Sequence, residues 1–217
     1  MKPSSRRQRR RIVSFVGVLP VIATAACAVT QAQPPEEGFE YRAVPAPLQR
    51  SPDAGHEVVE FFWYGCPHCR AFEPTINAWR RRLASDVAFR KVHVALAPRW
   101  VAHQQLYFTL LALDRADDAT NARVFDAIQV DGNPLDSRER VADFAAVLGI
   151  DRTRFLTTHD SPAVRAAMDA ANELAVAMGV GGVPAISVDG RWSTSPSMAG
   201  DQASTLRVVD HLLRTGA

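Results

Sequence analysis

Phe61-Phe62-Trp63-Tyr64-Gly65-Cys66-Pro67-His68-Cys69 is the stretch that decides how this chain is built. It ends the compact β-type run Glu57 to Phe62, which is long enough for a central strand. Gly65 breaks that run and a helical period begins. Phe72, Ile76, Trp79 and Leu83 recur at helical spacing, and Arg80, Arg81 and Arg82 mark the exposed end. Val87 to Leu96 reads as a second strand, so the segment is a βαβ unit with an expected right-handed crossover.

The helix start carries the chemistry. Unpaired N–H groups and the helix dipole favour a thiolate there, and the thiolate is the reactive form of cysteine. Cys66 occupies that position, and Pro67 suits a first helical residue, where no N–H is needed. His68 adds a donor beside the sulfur. Cys69, about one turn on, is within reach to resolve a mixed disulfide. A stabilised Cys66 thiolate leaves readily and favours the reduced form, which makes the disulfide an oxidant. A zinc half-site would need a second Cys/His pair, and covalent haem attachment would need His where Arg70 stands. No metal and no cofactor beyond the redox-active pair is expected.

Composition narrows the setting. The chain has 217 residues, 22% charged and 47% hydrophobic, which suits one soluble domain or a domain with an insertion. The formal charge of +2 misleads, because residues 1–32 hold Lys2, Arg6, Arg7, Arg9, Arg10 and Arg11 and no acid. The remainder has 19 basic and 23 acidic side chains (25 − 6 and 23 − 0), a net of −4, and gives no reason to expect nucleic-acid binding. The cationic start, the apolar stretch Ile12 to Val29 and the small residues after it read as a secretory signal, cleaved near Ala28 or Ala32. Thr24-Ala25-Ala26-Cys27 loosely resembles a lipoprotein box, but Thr24 stands where such boxes usually carry Leu. Arg6-Arg7 weakly suggests twin-arginine export. Of three cysteines, Cys27 leaves with the signal, and a Cys66–Cys69 bridge closes too small a loop to restrict the unfolded chain much. Such a bridge is suited to being broken and remade.

The expected organisation is a signal at 1–32, an extended Pro-rich lead-in at 33–55, an α/β part at 56–98, a helical insertion at 99–178 and a second α/β part at 179–217. A short edge strand is expected within Gly38 to Ala43. Helices are expected at Ala102–Leu113, Thr120–Val130, from an Asp136/Glu139 capping box to near Gly149, at Asp151–Thr158, and from Ser161-Pro162 to Met178. Ala185–Val188 and Arg191–Thr194 read as a hairpin on Asp189-Gly190, and Gln202–Leu213 as a final helix. Just before the hairpin, Pro184 opens a strand after Gly179-Val180-Gly181-Gly182-Val183. A trans proline is the default; a cis one would hold the backbone against the sulfurs and leave Val183 free to pair with a substrate strand. Glu60 in its apolar strand is a costly carboxylate. Lys91 is the only lysine after the signal. Neighbouring strands could bring the two together near Cys69 as a proton relay, or as a structural ion pair.

Glu-Phe-Phe-x-x-x-Cys-Pro-His-Cys at Glu60–Cys69, with Gly-Val-Pro-Ala at Gly182–Ala185, resembles the DsbA family of periplasmic thiol–disulfide oxidoreductases, from about Glu40 to Leu213. Cys66–Cys69 matches the family's active-site motif, Val183-Pro184 its cis-proline dipeptide, and Glu60 and Lys91 its buried charged pair. The resemblance implies a thioredoxin fold with an inserted helical domain and a hydrophobic groove beside the active site. It also implies reduced exported proteins as substrates and reoxidation by a DsbB-like, quinone-linked membrane partner. The expected form is a monomer. A reductive isomerase is a rival reading, but isomerases of this fold typically carry an extra N-terminal dimerisation domain, and the lead-in is too short for one. A chaperone with an apolar groove is another; it would be indifferent to Cys66→Ser.

Overall fold

The computed structural model describes residues 33–48 and 55–216. The signal, Cys27 and residues 49–54 of the lead-in lie outside the described residues. Five strands form one sheet: β1 Tyr41–Ala43, β2 His56–Phe62, β3 Val87–His93, β4 Ala185–Val188 and β5 Trp192–Thr194, in the order β1-β5-β4-β2-β3. β2 runs parallel to β3 and antiparallel to β4, so the βαβ unit meets the later hairpin along one central strand. That strand is the apolar run of the sequence, and Val58 to Phe62 are all buried, as a strand covered on both faces requires. The hairpin β4–β5 turns on Asp189-Gly190, both at positive φ, the geometry of a two-residue primed turn.

Helix α1, Pro67–Arg80, lies between β2 and β3 in the chain. Helices α2 Val101–Ala112, α3 Asp118–Gln129, α4 Arg138–Val147, α5 Arg152–His159 and α6 Pro162–Ala177 follow β3 without a strand among them. Each of α3 to α6 starts on a side-chain cap: Asp117, Ser137, Asp151 and Ser161 accept the amide three residues on. Asp136 is therefore not the cap expected from the capping-box pattern. Ser137 takes that place and accepts from the Arg140 amide, while the Asp136 carboxylate pairs with the Arg140 guanidinium at 2.5 Å. Two short elements were not anticipated, a 3₁₀ turn at Pro98–Trp100 and α7 at Pro196–Ala199. Helix α8, Gln202–Thr215, ends the fold, and no helix among the described residues is long and apolar enough to cross a membrane.

The core has two parts. Phe61, Phe62, Tyr64, Cys69, Leu106 and Phe125 belong to the larger one, which joins the C-terminal end of β2 to the inserted helices. Val58, Phe72, Ile76, Ile186 and Val209 belong to the other, between the sheet, α1 and α8. The thiol helix thus starts at the seam between the sheet and the insertion.

Candidate active site

β2 ends at Phe62 and the chain turns through Trp63-Tyr64-Gly65 into α1. Three anchors hold this turn. The Tyr64 hydroxyl, fully buried, donates to Asn121 Oδ1 of α3 at 2.5 Å. Gln129 Nε2, at the end of α3, donates to the carbonyls of Tyr64 at 2.7 Å and Cys66 at 3.1 Å. The Trp63 indole N–H donates to His103 Nδ1 at 3.0 Å; this leaves the His103 proton on Nε2, which donates to the Pro134 carbonyl at 2.7 Å. Trp63 also stacks on Trp100, with ring centroids 4.1 Å apart, and its ring covers Gly65, where a Cβ would sit 2.2 Å from the indole. Two of these anchors, Asn121 and Gln129, come from one inserted helix. Sequence reasoning missed them because their partners lie 57 to 65 residues away.

Cys66 is the N-cap of α1 and Cys69 is buried one turn on; both are free thiols in this structure. The Cys69 amide donates to Cys66 Sγ at 3.4 Å, and the Cys66 thiol donates to the Val183 carbonyl at 3.4 Å. The Cys66 thiol is lowered from 9.0 to about 6. The leading cause is a hydrogen bond from the Cys69 thiol. Burial opposes it, and the amides of Cys69 and His68 and the His68 imidazole add to it. The sequence points to the helix start and His68; the structure gives the first place to the partner thiol. Cys69 is pushed far in the opposite direction, first by burial and then by the neighbouring Cys66. One sulfur is thus suited to be an anion and the other to keep its proton.

The Val183–Pro184 peptide is cis, and it brings the Val183 carbonyl to Cys66. Glu60 and Lys91 face each other in register across β2 and β3, with Lys91 Nζ 3.4 Å from Glu60 Oε2. Lys91 also reaches Glu73 Oε1 at 2.5 Å, a partner absent from the sequence reading. Its position four residues after Cys69 on the same helix was the available signal, since i and i+4 share a face. Burial raises Glu60 to about 7 although the Lys91 charge pulls it down. Burial also works against the Lys91 ammonium, but Glu60 and Glu73 outweigh it and hold Lys91 above its ordinary value. Glu73 borders an open pocket on the outer face between α1 and α3, so the group of charges runs from beside Cys69 to solvent.

Beside His68 and Val183 lies a cavity of about 710 Å³, between the Gly179–Ala185 segment and α7. The resemblance implies a hydrophobic groove here. Val180, Val183 and Met198 do line it, but so do Ser193, Ser195, Ser197 and Arg42.

Comparison with known proteins gives one answer. Residues 57–207 match the model of the DSBA-like thioredoxin domain family. The thiol:disulfide interchange protein DsbA of Azotobacter vinelandii is 40% identical over 176 residues, covering 81% of this chain and 82% of that protein. The protein of the same name from Pseudomonas aeruginosa is also 40% identical, over 81% of this chain and 83% of its own length. The crystal structure of Pseudomonas aeruginosa DsbA superposes with a TM-score of 0.79 at 37% identity, over 83% of this chain and 94% of that one. That of the oxidoreductase DsbA from Xylella fastidiosa superposes with a TM-score of 0.78 at 30% identity, over 85% of this chain and 98% of that one. The sheet and helices described above are therefore a thioredoxin-like fold carrying a helical insertion.

Proposed function

This chain belongs to the DsbA family of thiol:disulfide oxidoreductases, and from that premise we propose that Cys66 and Cys69 are the pair it exchanges, in the oxidising direction. A client thiolate attacks Cys66 Sγ of the Cys66–Cys69 disulfide; the S–S bond breaks and Cys69 departs with the electron pair. A second client thiolate then attacks the client sulfur of the mixed disulfide. Cys66 leaves as a thiolate, the client is oxidised by two electrons, and the enzyme is left reduced. The observation that carries this reading is the opposite acidity of the two thiols, with Cys66 at about 6 and Cys69 raised. A sulfur that is comfortable as an anion is a good leaving group and stabilises the reduced enzyme, so electrons flow to it from the client.

Cys69 must take up a proton once it departs. Glu60, raised to about 7 inside the fold, is suited to give and recover one near neutral pH. Lys91 and Glu73 continue the polar route toward the outer pocket. His68 and Pro67 shape the N-terminus that Cys66 caps. The Val183 carbonyl, at the thiol, is placed to meet an extended client segment.

The exported setting rests on the first 32 residues, whose cationic start and apolar stretch support a signal directing the chain to the periplasm. The reduced exported proteins found there are the clients, and a DsbB-like, quinone-linked membrane protein regenerates the disulfide. Equilibrium of the protein with reduced and oxidised glutathione tests the direction. The reading requires a potential well above that of thioredoxin, nearer about −120 mV than about −270 mV. A value at the thioredoxin end, or exchange that survives Cys66→Ser, would overturn it.

A further inference from the structure

The groove beside the thiols has a feature that neither the motif nor the family match contains. Arg42 lies in the lead-in, outside the matched residues 57–207, on the edge strand β1, where it pairs in register with Ser193 of β5. Its side chain is exposed, lines the 710 Å³ cavity, and is tied by Nη2 to the Gly179 carbonyl at 2.9 Å. That single bond leaves most of the guanidinium's donors available. The one carboxylate on the cavity wall, Asp201, already accepts the Ser204 amide at 2.6 Å as the cap of α8.

Between Arg42 and the thiols runs Gly179 to Val183. Among the described residues, the amides of Gly181, Gly182 and Val183 find no partner, and a Cβ on Gly181 or Gly182 would meet nothing within 4 Å. This is open backbone beside open space, the condition for a client segment to lie alongside in extended form. Val183, at the sulfur, and Gly179, at the guanidinium, are four positions apart; a fully extended strand of that length spans about 13 Å. A client whose cysteine reaches Cys66 therefore carries a residue three to five positions away past Arg42.

We propose that Arg42 is a specificity-determining residue, which favours client segments bearing an aspartate or glutamate three to five residues from the reacting cysteine. The groove is then partly polar and selects by charge as well as by apolar contact. This deepens the proposed oxidase activity and rests on it.

The test uses reduced two-cysteine peptides that differ only in having Glu, Gln or Lys at those positions, on either side of the cysteine, oxidised by the disulfide form of the protein. At low ionic strength the Glu peptide should have a kcat/KM about two- to fivefold above the Gln peptide, the range of an exposed charge pair, and salt should erase the difference. Arg42→Gln should bring the ratio to one, Arg42→Lys should keep most of it, and Arg42→Glu should turn the preference toward the Lys peptide. Each ratio is taken within one protein, so it does not depend on that protein's overall rate, and far-ultraviolet circular dichroism of all four proteins reports intact folding. Equal rates for Glu and Gln peptides with the unaltered protein would overturn the proposal, whatever the variants do, as would an unchanged ratio in Arg42→Gln. Failure to oxidise any of the peptides would instead contradict the oxidase reading itself.

Discussion

Acidifying the reduced protein should remove stability that the Cys66 thiolate supplies. Cys66 stands at about 6 in the folded dithiol against 9.0 for an unperturbed thiol. A depressed folded-state value contributes stability that is fully present above 9.0 and is lost as pH falls through about 6. At about 1.36 kcal/mol per pH unit, the ceiling is about 4 kcal/mol above pH 9. At pH 7 only part has accrued, about 1.4 kcal/mol, and at pH 5 essentially none. Solvent screening lowers the worth of a charge at the edge of a fold, so about half of each value is the lower bound. The expected gain for the reduced protein is thus about 0.7–1.4 kcal/mol from pH 5 to 7 and about 2–4 kcal/mol from pH 5 to 9. The oxidised protein lacks the ionising group and lacks the gain. Through the thermodynamic cycle the pH 7 value corresponds to about 15–30 mV in potential. Urea unfolding of the reduced protein and of reduced Cys66→Ser, kept reduced throughout at pH 5, 7 and 9, isolates the effect as a difference. A flat difference across that range, or one that grows as pH falls, would refute the reasoning.

Other consequences follow from the same geometry. Cys69→Ala removes the leading stabiliser of the Cys66 anion, so thiolate absorbance should place Cys66 well above about 6; an unmoved midpoint would return the first place to the helix start. Glu60→Gln should stabilise the protein at pH 8 but not at pH 4. An acid raised to about 7 holds an extra proton when folded and costs stability as pH climbs from about 4.5 through 7. Matching urea midpoints at pH 8 would count against the buried carboxyl being uncomfortable. Lys91→Met leaves Glu60 and Glu73 facing each other without a cation, and the loss, about 3–5 kcal/mol at pH 8, should shrink at pH 5 as carboxyls protonate. Gly65→Ala drives a Cβ into the Trp63 ring and should cost about 1–3 kcal/mol, with altered tryptophan fluorescence as its local sign.

The parts of this molecule that were legible in the sequence share a physical trait: their cause is local. The apolar run to Phe62, the break at Gly65 and the Pro67 start place β2 and α1 without reference to anything distant. Ser161-Pro162 likewise places the start of α6, and Asp189-Gly190 the hairpin. Where two neighbours compete for one role, the reading slips: Asp136 and Ser137 are both good caps, and only backbone geometry selects Ser137. Glu60 and Lys91 were readable as misfits, a carboxylate in an apolar strand and a lone lysine. Glu73 was missed although it stands four residues after Cys69, because a glutamate on an amphipathic helix looks solvated until Lys91 is seen beneath it. Gln129, Asn121 and Arg42 act across 137 residues or fewer on backbone or side chains they never approach in sequence, and no local pattern marks them.

The most direct measurement is the ultraviolet titration of the Cys66 thiolate in the reduced, otherwise unaltered protein, with Cys66→Ser as the blank. The account predicts a single midpoint near 6, with Cys69 silent up to high pH. A midpoint near 9.0, the value of a thiol that feels nothing around it, would contradict the claim that this fold makes Cys66 a leaving group.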